Sequence, residues 1–291
     1  MKNFLIALML FISMTGMAQY ASLGYKMTDD YQRFSGSTTY VVLTDNAAYD
    51  SNMVHAVKKY WTLTPYKFIN YKKDLNKKIR DKKASFLLLL NMATEESEDL
   101  YNCLALVNGG KPTLSAYEFI DMLAYCPTNH FQNELVMYDC SYRVKNMVQS
   151  IISTLNMVQK SQMKGDLEKM REMAEKNYRA KASKIKDRIL LISPEIIGDK
   201  IDEDDFKKTY PHKTEFCKKE TIEKMIASGD SSFYYLLLSA TAVKSVFVVD
   251  PSNGDVLYAD HGSGKYFAKD DLKDLTKAID QALKLSTKEE K

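Results

Sequence analysis

The chain has 291 residues, of which 45% are hydrophobic and 27% are charged, and these proportions are ordinary for a soluble globular protein. Domains usually contain about 100–200 residues, so the length favours two domains that can each bury a core. The formal net charge of +3 is small. The composition therefore gives no indication of nucleic-acid binding or of strong attraction to a membrane surface.

Residues 1–18 have the composition of a signal peptide. Lys2 supplies a positive charge, residues 4–14 are apolar, and Gly16 and Ala18 are small residues at the positions that a signal peptidase reads. We predict cleavage between Ala18 and Gln19, which leaves a periplasmic or secreted chain. The Met17-Ala18-Gln19 sequence at this cleavage site resembles the cleavage sites of signal peptides from Gram-negative Bacteroidota. The apolar run is shorter than the roughly 20 residues of a membrane span, although an uncleaved anchor is the alternative, and no other segment predicts a transmembrane span.

Residues 19–125 are predicted to form a first α/β unit. After an irregular lead-in over residues 19–37, runs rich in β-branched and aromatic residues alternate with amphipathic segments. The predicted strands cover residues 38–44, 66–71, 85–92 and 101–107, and the predicted helices cover residues 47–61, 74–81 and 115–124. Asp45 or Asn46 offers an N-cap for the first helix, and residues 94–99 are predicted to be a polar turn.

Residues 126–186 are predicted to form a helical insertion. Apolar residues recur at three- and four-residue steps over residues 130–160, which is typical of an amphipathic helix. The pattern continues over residues 163–185, and Gly165 leaves open whether the insertion is one helix or a helical hairpin. The apolar stripe favours packing against the two neighbouring units over a ligand groove.

Residues 187–291 are predicted to form a second α/β unit. The predicted strands cover residues 189–193, 213–217, 232–240, 245–250 and 255–259, and the predicted helices cover residues 202–209, 220–227 and 268–285. Gly229 is predicted to end the second of these helices. Asn253-Gly254 between two apolar runs is a strong short-range signal for a β-hairpin.

The two units resemble each other in sequence. Residues 58–92 and 207–240 each run from a Lys-Lys pair through a proline and a short helix to Ser-Phe at the start of an apolar strand. The predicted fold class is α/β, with α+β mixed sheets in two tandem similar β-α-β-α-β-β-α units. Right-handed crossovers make the first strands parallel, and the last two strands are expected to be antiparallel.

This element order resembles the minimal thioredoxin or glutaredoxin core. The resemblance implies a redox Cys-x-x-Cys motif at the start of the first helix of a unit. The corresponding positions are Asp45-Asn46-Ala47-Ala48 and Pro194-Glu195-Ile196-Ile197, so no thiolate can form there. The resemblance therefore covers element order alone, and the sequence predicts no thiol oxidoreductase.

The chain contains four cysteines, which allow three full disulfide pairings in an exported protein. Cys126 and Cys140 are the one local pair that we consider as a possible disulfide. Cys103 and Cys217 lie in apolar strand-like runs, where a buried free thiol is the simpler interpretation.

The sequence predicts no cofactor and no metal site. The loop Gly262-Ser263-Gly264-Lys265 lacks the spacing and the Ser or Thr of a phosphate-binding loop. Acidic and amide residues over 250–260 lack the spacing of a calcium-binding EF-hand and fit a hairpin turn. The histidines are scattered and form no helical ligand pair: His55, His130, His212 and His261.

Residues 176–188 contain six basic residues and one aspartate. On a helix this composition is typical of a solvated face. The alternative is a surface for an anionic partner, such as a cell-surface glycan or phospholipid headgroups.

The sequence favours a non-catalytic binding or assembly module of the cell envelope, whose partner is an envelope protein or a glycan and not nucleic acid. The alternative is a periplasmic or secreted hydrolase with a site assembled from distant loops. If a ligand binds at the ends of the first strands, the candidate binding residues are Asp45, Asn46, Ser193 and Glu195. A pseudo-twofold packing of the units would bring these two pairs into one groove, and simple N-capping is the alternative role. The sequence leaves the oligomeric state open.

Overall fold

The computed structural model describes residues 22–23, 28–94, 97–128, 140–161, 176, 180–197, 201–240, 244–262 and 264–289. These residues form two mixed β-sheets with helices packed against both. The predicted α/β fold class with mixed sheets is therefore confirmed. The predicted signal peptide, His130 and Gly165 lie outside the described residues.

Sheet A has the strand order β1-β6-β5-β4-β2-β3. Strand β2 is parallel to β3 and β4, and the other neighbouring strands are antiparallel. The strands are β1 Ser22–Leu23, β2 Thr38–Leu43, β3 Tyr66–Asn70, β4 Ala84–Thr94, β5 Ser97–Asn108 and β6 Met122–Pro127.

Sheet B has the strand order β11-β10-β9-β7-β8. Strand β7 is parallel to β8 and β9, and β9, β10 and β11 are antiparallel. The strands are β7 Ile189–Ile192, β8 Thr214–Phe216, β9 Phe233–Ala240, β10 Lys244–Val249 and β11 Val256–Gly262.

From β2 and from β7 onward, the two sheets have the same relative strand order and the same strand directions. In each, the first strand lies between the second and the third and is parallel to both. Sheet A has two strands more than the four of the predicted unit order, namely β1 and β6. Sheet B has one more, β11, which corresponds to the strand predicted over residues 255–259. The duplication of one ancestral unit and the domain boundaries stay predictions.

The largest hydrophobic cluster lies between the two sheets. The helices are α1 Thr28–Ser35, α2 Ala47–Tyr60, α3 Val144–Ser161, α4 Glu203–Thr209, α5 Lys219–Ser228 and α6 Lys269–Glu289. Helices α2, α3 and α5 bury side chains in this cluster together with residues of both sheets. In α3, Met147, Ile151 and Leu155 are at most 1% exposed, and each fully buried aliphatic side chain contributes about 1.5–3 kcal/mol. The helix predicted as an insertion therefore forms a central layer of the core.

The two sheets present different faces to this central cluster. Helix α2, which connects β2 and β3, packs inside the cluster through Tyr49 and Met53. Helix α4, which connects the first two strands of sheet B, instead packs outside through Phe206, in a second cluster with α6. A pseudo-twofold axis would place both connecting helices on the same side. The units are therefore not packed as the shared-groove hypothesis assumed.

The predicted helix over residues 115–124 is wrong. Leu114–Ala116 and Phe119–Asp121 are short 3-10 turns, and strand β6 begins at Met122. All six residues of β6 are buried, so the strand lacks the alternation of a half-exposed strand. Periodicity alone does not distinguish such an apolar run from a buried helix.

The predicted helix over residues 74–81 is also different in the structure. Tyr71–Leu75 is a π-helical turn that continues into one α-helical turn, Asn76–Lys78. The Asn70 side chain accepts hydrogen bonds from the backbone N–H groups of Lys72 and Lys73 at 3.0 and 3.1 Å. This cap begins the helical segment earlier than the sequence pattern predicts.

Two further segments differ from the predictions. The lead-in predicted as irregular contains the eight-residue helix α1. In the segment predicted as a helix over residues 163–185, residues 176, 180 and 181 are helical as predicted, but its end belongs to the 3-10 helix Ala182–Asp187. Two turn signals are confirmed, because Gly229 ends α5 with a φ of 76° and residues 250–255 connect β10 to β11. The polar turn predicted over residues 94–99 is shorter, because Thr94 belongs to β4 and residues 97–99 belong to β5.

Gly109 allows strand β5 to end close to the loop before β4. Its N–H donates to the Ala84 carbonyl at 2.8 Å. A Cβ atom there would collide with the Asp81 carbonyl oxygen and lie 2.9 Å from Cε2 of Phe86. We expect Gly109→Ala to lower the free energy of unfolding by about 1–3 kcal/mol through overpacking, as measured by urea denaturation.

Gly36 provides the matched control, because a Cβ atom at Gly36 meets nothing closer than 3.9 Å. We expect Gly36→Ala to leave the unfolding midpoint close to that of the wild type. Equal effects of the two substitutions would contradict the close packing at Gly109.

Candidate binding crevice at the end of strand β7

A small crevice of about 40 Å³ opens where strand β7 ends. Four of its lining residues carry the polar or charged groups: Tyr142, Ser193, Glu195 and Lys219. Its walls are mainly aliphatic, from Ile196, Ile222, Ile226, Leu236 and Leu237, and Tyr235 lies among them. The crevice therefore combines an apolar interior with a polar rim.

The chain direction after β7 places Ser193 inside and Glu195 outside. Pro194 is the first residue of the 3-10 turn Pro194–Ile196, where its missing N–H costs nothing. The Ser193 Oγ accepts a hydrogen bond from the Glu195 N–H at 3.4 Å. Ser193 is 5% exposed, whereas Glu195 is exposed, so the turn directs a carboxylate to the rim.

Helix α5 supplies one wall of the crevice and a positive charge at its rim. Ile222 and Ile226 are four residues apart, lie on one face of the helix and are buried. The helix begins at Lys219 after Lys218, and no side chain caps its N-terminus. Lysines at the positive end of a helix dipole are unfavourable in isolation. Lys219 forms an ion pair with Glu223 at 3.9 Å, which offsets part of this cost.

Tyr142 connects the crevice to the rest of the core. It lies in the 3-10 turn Ser141–Arg143, just before α3. Asn52 of α2 donates a hydrogen bond to the Ser141 carbonyl at 2.9 Å. Because this turn contacts α2 and also reaches the crevice beside α5, the crevice lies next to the central cluster that both sheets share.

Tyr235 forms part of the crevice wall as a neutral phenol. Its side chain is 2% exposed, and its hydroxyl donates to Asn146 Oδ1 at 3.3 Å. Burial raises the pKa of Tyr235 far above its usual range. Tyr235 therefore contributes shape and one hydrogen bond, and no ionisable acid or base at physiological pH.

The structure brings two of the four candidate residues to this crevice. Ser193 and Glu195 line it, and Asp45 and Asn46 do not. Asn46 caps α2, because its Oδ1 accepts from the Tyr49 N–H at 3.0 Å. Asn46 therefore acts as the N-cap of α2.

Asp45 belongs to a separate network at the ends of β2 and β3. It has a φ of 72°, in the left-handed region that non-glycine residues rarely adopt. Its carboxylate accepts from Asn70 Nδ2 at 2.6 Å and pairs with Lys72 at 3.3 Å. The hydrogen bonds from Asn70 and Lys72 hold the pKa of Asp45 below its usual range. The side chain is therefore engaged in holding its own loop.

Sequence reasoning missed most of the walls of the crevice. Ile222 and Ile226 fit the apolar spacing of a helix, so the pattern indicated packing and gave no sign of a cavity. Tyr142 falls within the apolar stripe that the sequence predicts over residues 130–160. The unfavourable charge of Lys218 and Lys219 at a helix start is the signal in the sequence that points to this place.

The basic segment over residues 176–188 is partly used inside the fold. Lys181 pairs with Asp255 at 3.0 Å, and Arg188 pairs with Asp250 at 3.2 Å. These two cations hold the turn between β10 and β11. The acidic residues that suggested a calcium loop therefore have structural partners, and no cluster of metal-binding side chains occurs in the described part of the chain.

Cys103, Cys126 and Cys140 are buried in the structure, and Cys217 is half-buried. Burial raises the pKa of Cys103, Cys126 and Cys217, which disfavours the reactive thiolate. Cys126 and Cys140 both belong to the central hydrophobic cluster. Their disulfide stays a prediction.

We expect iodoacetamide to alkylate only Cys217 in the native protein, because the other three cysteines are buried. The alkylation of Cys217 should be faster at pH 9 than at pH 7, because the raised pKa of this thiol keeps it protonated at neutral pH. Peptide mass spectrometry measures the modified sites, and Cys217→Ser should abolish native labelling. After unfolding, labelling of Cys126 and Cys140 without reductant would show free thiols, and labelling only with reductant would show the disulfide. Native labelling of Cys126 would contradict the burial.

None of the helices in the described part of the chain combines the length and the hydropathy that a membrane-spanning segment requires. Comparison of the chain with protein-family models, with curated proteins and with solved structures found no match.

Proposed function

We propose that the protein is an exported, non-catalytic binding or assembly module of the cell envelope. The mature chain begins at Gln19 and is periplasmic or secreted. Its crevice at the end of β7 receives one aliphatic side chain of an envelope protein. The observation that carries this proposal is the crevice itself, which has aliphatic walls and charged groups at its rim.

The size of the crevice supports a macromolecular partner. Pockets that enclose a whole small molecule usually measure about 300–1,000 Å³, whereas this crevice measures about 40 Å³. A space of this size accepts one side chain, with the rest of the partner lying on the surface. Binding interfaces place an aromatic or aliphatic anchor in a central pocket, and a few residues there carry most of the binding energy.

The charges at the rim support a partner with an acidic group beside the anchor. Lys219 is the first residue of α5, and Lys218 precedes it. An acidic side chain of the partner would relieve the unfavourable charge at this helix start. Glu195 also lies at the rim, and its carboxylate favours a polar or basic group of the partner next to it.

Site-specific photocrosslinking tests the proposal. Benzoylphenylalanine replaces Glu195 in the protein expressed in its native envelope, and the same residue replaces exposed Lys67 on β3 as a control. We expect one discrete, protease-sensitive adduct from position 195 and none from position 67. A protease-resistant smear would indicate a glycan in place of a protein.

Charge-reversal variants distinguish binding at the crevice from a general effect of surface charge on the yield of the adduct. Lys219→Glu should reduce the adduct, whereas Lys224→Glu, on an exposed position of the same helix, should leave it unchanged. Equal yields from both crosslinking positions, or equal effects of both reversals, would contradict binding at the crevice.

A second candidate function is hydrolysis, because Ser245 and His261 face each other across β10 and β11. The Ser245 Oγ lies 2.8 Å from Nδ1 of His261. This is the distance of a nucleophile and its general base, although cross-strand polar pairs have the same geometry. Ser239, which pairs with Ser245 on β9, offers a matched control.

We expect a fluorophosphonate probe to leave the wild-type protein unlabelled if it is a binding module. Labelling that disappears in Ser245→Ala and persists in Ser239→Ala would instead establish the hydrolase. In-gel fluorescence of the labelled protein measures both outcomes.

Export rests on residues 1–18, and we expect the protein recovered from the periplasm or the medium to begin at Gln19. Intact-mass spectrometry measures this directly. Retention of Met1–Ala18 in the recovered protein would contradict cleavage and favour an uncleaved anchor.

A further inference from the structure

A shallow depression of about 410 Å³ lies on the outer side of sheet B, between the end of α4 and the exposed face of α6. Seven residues line it: Thr209, Lys273, Thr276, Lys277, Asp280, Gln281 and Lys284. All seven are polar or charged. The depression shares no residue with the crevice at the end of β7.

The amphipathic pattern of α6 fixes which side chains face the depression. Leu272, Leu275 and Ile279 are fully buried against sheet B. The Thr276 hydroxyl donates toward the Thr209 carbonyl at 3.2 Å and the Leu272 carbonyl at 2.9 Å, which ties α6 to the end of α4. The lysines at positions 273, 277 and 284 therefore project from a helix that is held firmly in place.

The charge of the depression favours an anion. Its lining contains three lysines and one aspartate. Lys273 pairs with Asp270 at 2.8 Å, but both side chains are more than half exposed, so water screens this pair and a ligand can compete for the lysine.

The residue types of the lining, which include no aromatic and no aliphatic residue, indicate the class of ligand. Protein partners usually bind through aromatic or aliphatic anchors in apolar pockets, and this lining offers none. A glycan presents hydroxyl groups, which match the carboxylate of Asp280 and the amide of Gln281 as hydrogen-bond partners. Acidic groups on the same glycan match the lysines as charge-assisted partners.

We propose that this depression is a second binding site, and that it binds an acidic glycan through Lys273, Lys277 and Lys284. The site is independent of the proposed crevice function, because it uses the opposite side of sheet B. The protein would then hold an envelope protein at one site and an acidic polysaccharide at the other.

The test uses the mature chain, with heparin oligosaccharide as the acidic probe and dextran as the neutral one. We expect binding to heparin and none to dextran in isothermal titration calorimetry. The double variant Lys273→Gln with Lys277→Gln should weaken heparin binding about tenfold or more, because each lysine contributes to attraction toward a dense anionic surface. The slope of log Kd against log salt concentration should fall by about 2, as two ionic contacts are lost.

The matched control removes two exposed lysines of sheet A and its neighbouring helix, Lys58→Gln with Lys67→Gln, with the same change in net charge. It should leave heparin affinity within about twofold of the wild type, because charges beyond a Debye length are screened. Three outcomes would each overturn the proposal. They are an equal loss of heparin affinity in the control variant, an absence of heparin binding by the wild type, and binding to phosphatidylglycerol vesicles without binding to heparin. None of these outcomes changes the crosslinking result at the crevice, so the two proposals fail separately.

Discussion

Replacing Asp271 with asparagine is expected to lower the free energy of unfolding by about 3–5 kcal/mol, because it leaves Lys244 as an unpaired buried charge. The two side chains form an ion pair with Lys244 Nζ 2.7 Å from Asp271 Oδ2. The side chain of Lys244 is 4% exposed and that of Asp271 is 10% exposed. Water cannot replace the missing partner in such a place.

The ion pair also fixes the geometry of the outer edge of sheet B. Lys244 begins β10 and pairs in register with Gly262, the last residue of β11. A Cβ atom at Gly262 would lie 3.2 Å from Cε of Lys244, so the glycine gives the lysine its path to Asp271. Asp271 in turn accepts from the Ala268 N–H at 2.5 Å and caps α6. One buried contact thus connects two strands and the start of the last helix.

The neighbouring residue provides the control for this prediction. Asp270 lies in the same helical turn and pairs with Lys273, but its side chain is 87% exposed. Exposed pairs contribute little to stability because water screens them. Urea denaturation of Asp270→Asn should therefore give an unfolding midpoint close to that of the wild type. Similar losses in Asp270→Asn and Asp271→Asn would show that dipole compensation, and not burial of the pair, determines the effect.

A double replacement separates the pair from its surroundings. Lys244→Met combined with Asp271→Leu removes both charges and keeps similar volumes. Buried ion pairs replaced by apolar residues are often neutral in stability, so we expect the double variant to be more stable than Asp271→Asn alone. A double variant as unstable as the single one would indicate that the cap on Ala268 dominates.

The fold could be predicted from the sequence wherever local chemistry and burial agree. Leu272, Leu275 and Ile279 predict the last helix because only one of its faces is apolar, and they are fully buried. Gly229 ends α5 because it adopts a positive φ. The strand β6 was missed because burial on both faces removes the alternation that identifies a strand.

The candidate site could be predicted only in part. Ser193 and Glu195 lie at the C-terminal end of a predicted strand. Ligands bind beyond the C-terminal ends of strands in open α/β sheets, and this rule locates one end of the crevice. Tyr142 and Ile226 reach the crevice through tertiary packing of the 3-10 turn before α3 and of α5, which no local pattern contains. The hypothesis of a shared groove failed because the direction in which each sheet faces the core depends on the packing of whole units.

The second large effect is expected at Gly254, where we predict that alanine lowers the free energy of unfolding by about 2–6 kcal/mol. Gly254 has a φ of 70°, and a left-handed conformation costs a non-glycine residue about 1–3 kcal/mol. A Cβ atom there would also lie 2.5 Å from the Asn146 carbonyl oxygen and 3.1 Å from its Cα. This overpacking adds about 1–3 kcal/mol.

The collision at Gly254 reports on the docking of α3 against sheet B. Asn146 lies in α3 and is fully buried, and its Nδ2 donates to the Pro251 carbonyl at 3.0 Å. The turn after β10 thus packs directly against the backbone of the central helix. If the helix were a separate insertion away from sheet B, an added methyl group at Gly254 would meet no such neighbour.

Gly229 separates backbone strain from packing. Its φ of 76° is close to that of Gly254, but a Cβ atom at Gly229 meets nothing within 4 Å. Gly229→Ala should therefore show the conformational cost alone, about 1–3 kcal/mol, and the difference between the two variants in urea denaturation measures the contact with Asn146. A difference below about 0.5 kcal/mol, which is the usual size of surface effects, would mean that α3 does not pack against this turn in solution. A clear difference would place the central helix in one cooperative core with sheet B, because a substitution in the turn then destabilises the layer that both sheets share.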